Sequence, residues 1–181
     1  KWHVVDARDL KKEAQLADFR DKWVLVYFWG LSCPHCLGDH LPRLMKTYDD
    51  HRQQRDKFEI IAFCTEADHE LHSIGDLDKA LAPIVQHVWS GRQLPFPTLL
   101  DPSFITMQRY GLRTYGTLLL IDPQGNLVEG DEKTLAEHLK WYSWHLNPPR
   151  LIRHTIKRLH RINQPFPVSG REVMILNPDA L

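Results

Sequence analysis

Cysteine, net charge and long apolar runs are all scarce in this sequence. Three cysteines in 181 residues are too few for a disulfide scaffold. The 23 basic side chains are balanced by 23 acidic ones, so the excess of basic charge that nucleic acid phosphates require is missing. No run of about 18 apolar residues occurs, as a helix that crosses a bilayer would need. We therefore expect neither a nucleic-acid-binding protein nor a membrane-spanning one.

The residues that are present fit a soluble globular chain. Hydrophobic residues make up 43% of the sequence and charged residues 25%, which is typical of such proteins. The length suits one domain of ordinary size with room for an appendage. The chain begins at Lys1 with neither an initiator methionine nor a signal peptide. We interpret it as a fragment or a processed form, from which targeting information can have been removed.

Strands and helices alternate in the predicted secondary structure. Continuous apolar runs predict buried strands at Trp23–Trp29 and Phe58–Cys64, and the turn sequence Pro123-Gln124-Gly125-Asn126 predicts a hairpin around it. The other predicted elements are a strand over 2–6, a helix after Cys36 with a kink at Pro42, a helix over 75–89 broken in two at Pro83, a strand over 97–100, a helix over 102–110, and a helix over 134–146 with a capping box at Thr134. This order predicts an α/β fold with a mixed central sheet flanked by helices.

The residues after Pro149 differ in character from the rest. They divide the chain into a predicted domain over 1–149 and a basic amphipathic C-terminal extension over 150–181. The apolar stripe of this extension consists of Leu151, Ile152, Ile156, Leu159 and Ile162. Such a helix can lie on an anionic membrane or dock on a partner. We favour packing on its own domain with the charges in water, since such helices are common on soluble proteins.

The strongest motif is Cys33-Pro34-His35-Cys36, which follows a predicted strand and opens a helix with Ser32 as its expected N-cap. Two cysteines at this spacing can close a disulfide without moving the backbone. At the open N-terminus of the helix, free amides and the helix dipole stabilise a Cys33 thiolate. Cys36 lies one turn inside, so we expect Cys33 to attack a partner and Cys36 to resolve the mixed disulfide. His35 can add positive charge or a donor toward the Cys33 sulfur.

Other interpretations of a cysteine pair fit less well. Half of a zinc site would need a second pair of cysteine or histidine ligands at suitable spacing, and none follows. A haem attachment site would need histidine directly after Cys36, where Leu37 stands. A peroxidase is disfavoured because no threonine lies three residues before Cys33. Binding of Cu(I) by Cys33, Cys36 and a distant histidine, without catalysis, remains the alternative, since thiolate pairs favour this ion.

Together these residues resemble the thioredoxin superfamily, in particular its TlpA/ResA-type branch. The resemblance covers about residues 16–146. It rests on the lead-in Leu16–Trp29, on Tyr110-Gly111-Leu112-Arg113 and on Ile121-Asp122-Pro123-Gln124-Gly125. The Pro-His dipeptide between the cysteines is similar to that of DsbA-type disulfide-forming oxidases. The resemblance implies a thioredoxin-like fold, thiol–disulfide exchange with protein or small thiols, no cofactor or metal, and an extracytoplasmic location, periplasmic or secreted.

Several positions depart from the family's pattern. The family's cis-proline position is occupied by Gly116, before Thr117, and we expect a trans peptide there and a more open pocket. The buried acid common in thioredoxins is replaced by Tyr27, so a proton needs another route to Cys36. Asp39 matches an acidic position of the ResA-type motif and is our candidate relay. Its alternative is an ordinary charge on a solvated helix face.

The predicted roles of Trp29 and Cys64 follow from their positions at the ends of the two buried strands. We expect Trp29 to pack beneath the active-site loop and to shape the thiol pocket. Cys64 ends the second buried strand. We interpret it as a small buried apolar residue, although the ends of strands gather near the active side of an α/β sheet, where it would be a third thiol.

Overall fold

The computed structural model describes residues 1–66 and 70–146, without the side chains of residues 141–146. The strands are β1 Asp6–Arg8, β2 Trp23–Trp29, β3 Phe58–Cys64, β4 Thr98–Leu100, β5 Thr117–Ile121 and β6 Leu127–Val128. The α-helices are α1 Leu41–Asp50, α2 Ile74–His87, α3 Ile105–Arg109 and α4 Glu132–Leu146. None of the helices in the described ranges is long and apolar enough to cross a membrane. The predicted extension over 150–181 lies outside the described residues.

The six strands form one mixed sheet in the order β1-β4-β3-β2-β5-β6. β3 runs parallel to both β2 and β4, whereas β1, β5 and β6 pair antiparallel with their neighbours. The predicted mixed sheet with flanking helices is therefore confirmed. The predicted hairpin is β5 and β6. β2 lies at the centre of the sheet, and all seven of its side chains are buried.

The two faces of β2 belong to two hydrophobic clusters, as the alternation of side chains along a strand requires. Leu25, Tyr27 and Trp29 lie in one cluster, with Leu44 of α1 and Leu135 of α4. The intervening side chains Val24, Val26 and Phe28 lie in the other cluster, which includes Met107 of α3. Burial of each such apolar side chain contributes about 1.5–3 kcal/mol. These contacts hold β2 in place, and the cysteine motif follows directly from its carboxyl end.

The first strand begins four residues later than predicted. Trp2 is buried, but it packs edge-on against Phe63 and its indole N–H donates to the Tyr110 hydroxyl at 2.9 Å. Trp2 is therefore held by its ring rather than by a strand ladder. Of the other apolar residues that suggested a strand over 2–6, Val4 packs against the same cluster as Trp2, whereas Val5 packs against the cluster on the opposite face of the sheet.

The predicted break in the second helix is wrong, since α2 is one continuous helix that contains Pro83. A proline inside a helix removes one backbone hydrogen bond. Both Pro83 and Lys79, whose carbonyl loses its donor, are exposed. Water can bind that carbonyl, so the helix continues through the proline.

Two helix starts also differ from the prediction. α3 begins at Ile105 rather than near Pro102, because Phe104 adopts a left-handed conformation with φ 60°. α4 is capped by Asp131, whose Oδ1 accepts the backbone N–H groups of Lys133 and Thr134 at 2.9 and 3.0 Å. The capping box expected at Thr134 is therefore wrong, and the helix begins two residues earlier.

Candidate active site

Cys33 and Cys36 are joined by a disulfide with Cα atoms 5.3 Å apart. They lie just beyond the carboxyl end of β2, where the chain turns from Trp29 through Gly30 into a helix. The backbone N–H of Leu37 donates to the carbonyl of Cys33 at 3.2 Å, so helical bonding begins at Cys33. The predicted placement of the pair between a strand and a helix N-terminus is therefore observed.

The two sulfur atoms have different surroundings. Cys36 is fully buried, whereas Cys33 is partly exposed. The backbone N–H of Cys36 donates to the Cys33 sulfur at 3.2 Å. An N–H at a helix start stabilises a negative sulfur. The geometry therefore makes Cys33 the sulfur that a partner can reach and whose thiolate is stabilised.

The residues around the pair are placed by an irregular helix. Pro34 and His35 between the cysteines are both exposed. Residues Cys36–His40 then form a π-helical turn, in which the N–H of Leu41 donates to the carbonyl of Cys36. Pro42 lies in the first turn of α1, where its missing N–H is not needed. The irregular turn therefore comes before Pro42, at Cys36–His40, whereas the kink was predicted at Pro42 itself.

Ser32 is not the expected N-cap, because its backbone N–H and hydroxyl both donate to Oε2 of Glu66, at 2.9 and 3.0 Å. Glu66 is fully buried just after β3. A Cβ at Gly30 would lie 3.0 Å from Glu66 Oε2 and from Tyr115 Cζ, so a larger residue would have to displace one of these side chains. Glu66 is not among the site residues predicted from the sequence. The signal that could have found it is an acidic residue at the end of a buried strand, where active-site groups of α/β sheets gather.

Gly116 lies beside the pair, as predicted from its position. A Cβ built on Gly116 would lie 3.8 Å from the Cys36 sulfur, and φ at this residue is 78°. Its peptide bond is trans, and its N–H donates to the carbonyl of Phe28 at 2.8 Å. Thr117 follows at the start of β5, and its hydroxyl donates to the carbonyl of Thr114 at 2.9 Å. The structure therefore brings Gly116 next to Cys36, with space where a side chain would stand.

Tyr27 and His40 form a hydrogen-bonded pair, and the His40 ring lies beside Gly116, as the Cys36 sulfur does. The Tyr27 hydroxyl oxygen lies 3.0 Å from Nδ1 of His40. Tyr27 is fully buried, and this burial raises the pKa of its hydroxyl, which therefore keeps its proton. The hydroxyl can then donate to the neutral ring of His40, which sits at the end of the π turn.

Asp39 lies on a more exposed part of the same turn. One of its carboxylate oxygens is 3.3 Å from Nη1 of Arg43 and 3.9 Å from Nε2 of His40. Arg43 in turn contacts the buried carboxylate of Glu132 at 3.2 Å. Asp39 is half-exposed. These contacts place Asp39 in a surface ion-pair network, and its role as a proton relay stays a prediction.

Trp29 and Cys64 lie opposite each other on β2 and β3 and are both fully buried. Trp29 shares a hydrophobic cluster with Cys36, as expected for a residue beneath the active-site loop. Cys64 is a free thiol, and burial raises its pKa, with a smaller contribution from the nearby charge of Glu66. The predicted burial of Cys64 is confirmed.

A groove of about 710 Å³ opens beside Cys33. Its lining includes the apolar side chains of Phe104, Met107, Leu112 and Tyr115. A second cavity, of about 430 Å³, lies against the 3₁₀ turn Leu16–Phe19 and contains neither cysteine of the pair. Of these two cavities, only the first is lined by Cys33.

Comparison with known proteins places this site within a described family. Residues 4–129, which include both cysteines of the pair, match the model of the AhpC/TSA family. The thiol-disulfide oxidoreductase ResA of Halalkalibacterium halodurans is 30% identical over 132 residues, which cover 72% of this chain and 66% of that protein. ResA of Bacillus subtilis is 25% identical over 71% of this chain and 63% of its own length. The chain thus spans about two thirds of the length of these relatives.

Solved structures show the same fold. The thioredoxin domain of a thiol-disulfide oxidoreductase from Bacteroides vulgatus is 25% identical, with a TM-score of 0.51, and the match covers 76% of this chain and 96% of that one. A thiol-disulfide isomerase from Corynebacterium glutamicum is 20% identical, with a TM-score of 0.56, over 77% of this chain and 92% of its own. The thioredoxin-like fold that the sequence predicted is therefore confirmed.

Proposed function

The chain belongs to the AhpC/TSA family, and from this premise we propose that it is a thiol–disulfide oxidoreductase which exchanges its Cys33–Cys36 disulfide with thiols of a partner. The observation that carries this proposal is the difference between the two sulfurs. Cys33 is partly exposed and accepts an N–H bond on its sulfur, whereas Cys36 is fully buried. A nucleophilic thiolate needs the first environment, and a resolving thiol fits the second.

The reaction consists of two exchanges of sulfur bonds. In the reducing direction, the Cys33 thiolate attacks a partner disulfide, forms a mixed disulfide and releases one partner sulfur as a thiolate. Cys36 loses its proton and attacks the Cys33 sulfur, which closes the internal disulfide and releases the second partner sulfur. The partner gains two electrons and the pair loses two. The oxidising direction is the same sequence in reverse.

The roles of the neighbouring residues follow from this sequence. We assign attack to Cys33 and resolution to Cys36, while exposed His35 tunes the Cys33 thiolate and Pro34 shapes the turn that presents it. Protein thiols or disulfides are the proposed partners, and the groove beside Cys33 gives them access. An extracytoplasmic location is part of the proposal and rests on the likeness to ResA-type proteins.

Trapping with glutathione tests these roles without assuming a direction. We expect Cys36→Ser, after incubation with oxidised glutathione, to accumulate one glutathione on Cys33, because no second thiol can resolve it. The wild type should pass on to the internal disulfide and carry none. Mass spectrometry of the intact chain and of its peptides measures both outcomes.

The matched controls are Cys33→Ser and Cys64→Ala. Cys33→Ser should react far more slowly, since buried Cys36 is shielded, and Cys64→Ala should behave like the wild type. Equal glutathione labelling of Cys33→Ser and Cys36→Ser would contradict the proposed division of roles.

A further inference from the structure

Resolution by Cys36 requires a proton acceptor inside the protein. The Cys36 side chain is fully buried, so its thiol has no direct contact with bulk water. Burial favours the neutral thiol over the thiolate. A group that takes the proton from Cys36 would therefore accelerate the second exchange step.

One titratable ring faces the same small space as the Cys36 sulfur. Nδ1 and Cε1 of His40 each lie 3.6 Å from the point where a Cβ of Gly116 would stand, and the Cys36 sulfur lies 3.8 Å from that point. Gly116 has no side chain, so it places no atom at this Cβ position. The space around this point therefore adjoins both the imidazole edge and the sulfur, and a water molecule in it could bridge the two.

The backbone explains why His40 reaches this space. Cys36 and His40 are the first and last residues of the π turn. A π turn widens the helix, and such turns are frequent at functional sites. The Tyr27 hydroxyl fixes the ring from the strand beneath, 3.0 Å from Nδ1. The ring is about one quarter exposed, with 27% of its side chain accessible, so it can pass a proton on to solvent.

We propose that His40 is the proton carrier of Cys36, accepting the thiol proton through the space left open by Gly116. The inference rests on the proposed function and deepens it. When Cys36 attacks the mixed disulfide, its sulfur bonds to Cys33 and its proton moves to Nδ1 of His40. The Tyr27 hydroxyl then turns from donor to Nδ1 into acceptor of the new N–H. The released partner thiolate or solvent then takes the proton from the imidazolium. In the oxidising direction the imidazolium returns the proton to the departing Cys36 sulfur.

The charges around His40 suit this role. On the strand side it meets the neutral Tyr27 hydroxyl. On its own turn, the Asp39 carboxylate lies 3.9 Å from Nε2 and can stabilise the imidazolium. Arg43 of α1 partly offsets that charge through its 3.3 Å contact with Asp39, and it also contacts Glu132 of α4. The neutral ring therefore has the Tyr27 hydroxyl as its partner, and the protonated ring also has the Asp39 carboxylate.

The test separates the two exchange steps in time. Reduced protein is mixed with one equivalent of 5,5′-dithiobis(2-nitrobenzoate), a disulfide whose thiolate product is coloured. Attack by Cys33 releases the first thionitrobenzoate and attack by Cys36 releases the second. Because this leaving group needs no proton, the pH profile of the second phase reports proton loss from Cys36. Stopped-flow absorbance between about pH 5 and about pH 9 covers the titration of imidazole.

We expect His40→Gln to slow the second phase at least about tenfold at neutral pH while leaving the first phase unchanged. Its profile should lose the rise in the imidazole range and keep only the rise at the ordinary thiol pH. The control His87→Gln, at the exposed end of α2, should match the wild type. Tyr27→Phe should keep the histidine-dependent rise, since the imidazole that accepts the proton is still present.

Two results would overturn the inference: an unchanged second phase in His40→Gln, or a slowing that is the same at every pH, which a merely structural role would produce. A wild type without any second phase would overturn the proposed function as well. A wild type with two phases and an unaffected His40→Gln would leave the proposed function in place.

Discussion

Each of the three cysteines has a different local environment, and the environment decides its chemistry. Cys33 is partly exposed and its sulfur accepts the N–H of Cys36, which favours a thiolate. Cys36 is buried beside the space at Gly116. Burial in the sheet raises the pKa of Cys64, so this thiol stays protonated and unreactive. One residue type therefore serves as nucleophile, resolving thiol and core residue.

At the same scale, Glu66 holds the loop that presents Cys33. We expect Glu66→Ala to lower the free energy of unfolding by about 1–3 kcal/mol, because the N–H of Ser32 loses its buried acceptor. Urea denaturation at neutral pH measures this loss. The control Glu70→Ala removes an exposed carboxylate and should change the stability by less than about 0.5 kcal/mol. Two variants of equal stability would show that Ser32 does not depend on Glu66.

Some site residues can be predicted from the sequence and others cannot. Cys33 and Cys36 are recognised by their spacing and by the strand before them. The position of Gly116 beside Cys36 follows from a family resemblance. The position of Glu66 after a buried strand is only a weak signal, and the contacts of Glu66 and His40 are not predictable, because their partners Ser32 and Tyr27 are 34 and 13 residues away. Contacts of this kind depend on strand register and on the π turn, which no local pattern reveals.

At the scale of elements, the site depends on α4 packing against β2. The His138 ring of α4 stacks on the Trp23 ring of β2, with centroids 4.0 Å apart and an interplanar angle of 17°. Leu135 and Leu139 of the same helix are fully buried. Glu132 at its start contacts Arg43 of α1. α4 thereby joins the strand and the helix that flank the cysteine pair.

This packing predicts a dependence of stability on pH. Burial lowers the pKa of His138 below its ordinary value of 6.5, so the unfolded chain binds a proton more readily there than the folded chain. The stability that neutral His138 contributes is present above pH 6.5 and is lost as the pH falls through the folded pKa. We expect His138→Phe, which keeps a ring on Trp23, to lose less stability than the wild type on going from neutral to mildly acidic pH.

Urea denaturation at about pH 7 and about pH 5 compares the two proteins across the histidine range. His87→Gln, which removes an exposed histidine, should keep the wild-type dependence. Parallel losses of stability in His138→Phe and the wild type would show that His138 does not carry the effect.

The elements themselves were predicted with different success, for physical reasons. β2 and β3 were predicted correctly because a short, continuous apolar run is typical of a strand that is buried on both faces. Pro83 suggested a break, but it lies on the exposed face of α2, where water can reach the carbonyl that it leaves without a donor. The start of α4 was misplaced because Asp131 caps it, in competition with a capping-box pattern at Thr134. Ends and interruptions depend on tertiary surroundings, which short patterns do not contain.

At the scale of the whole molecule, the topology places the site at one edge of the sheet, where the chain leaves strand β2 and enters a helix. The central parallel strands β2 and β3 end at the same edge of the sheet, and the cysteine motif follows one of them while Glu66 follows the other. β5 brings Gly116 to the same edge from the opposite direction. Three segments distant in sequence thus enclose one pair of sulfur atoms.

The redox equilibrium of the Cys33–Cys36 pair tests the central claim most directly. The folded protein is equilibrated in glutathione buffers of graded potential, and its free thiols are then alkylated and located by mass spectrometry. We predict that Cys33 and Cys36 are oxidised together in one two-electron transition, that Cys33 is alkylated first in the reduced protein, and that Cys64 stays unlabelled throughout. A chain in which Cys33 and Cys36 never form a disulfide with each other, or are oxidised independently, would contradict the account.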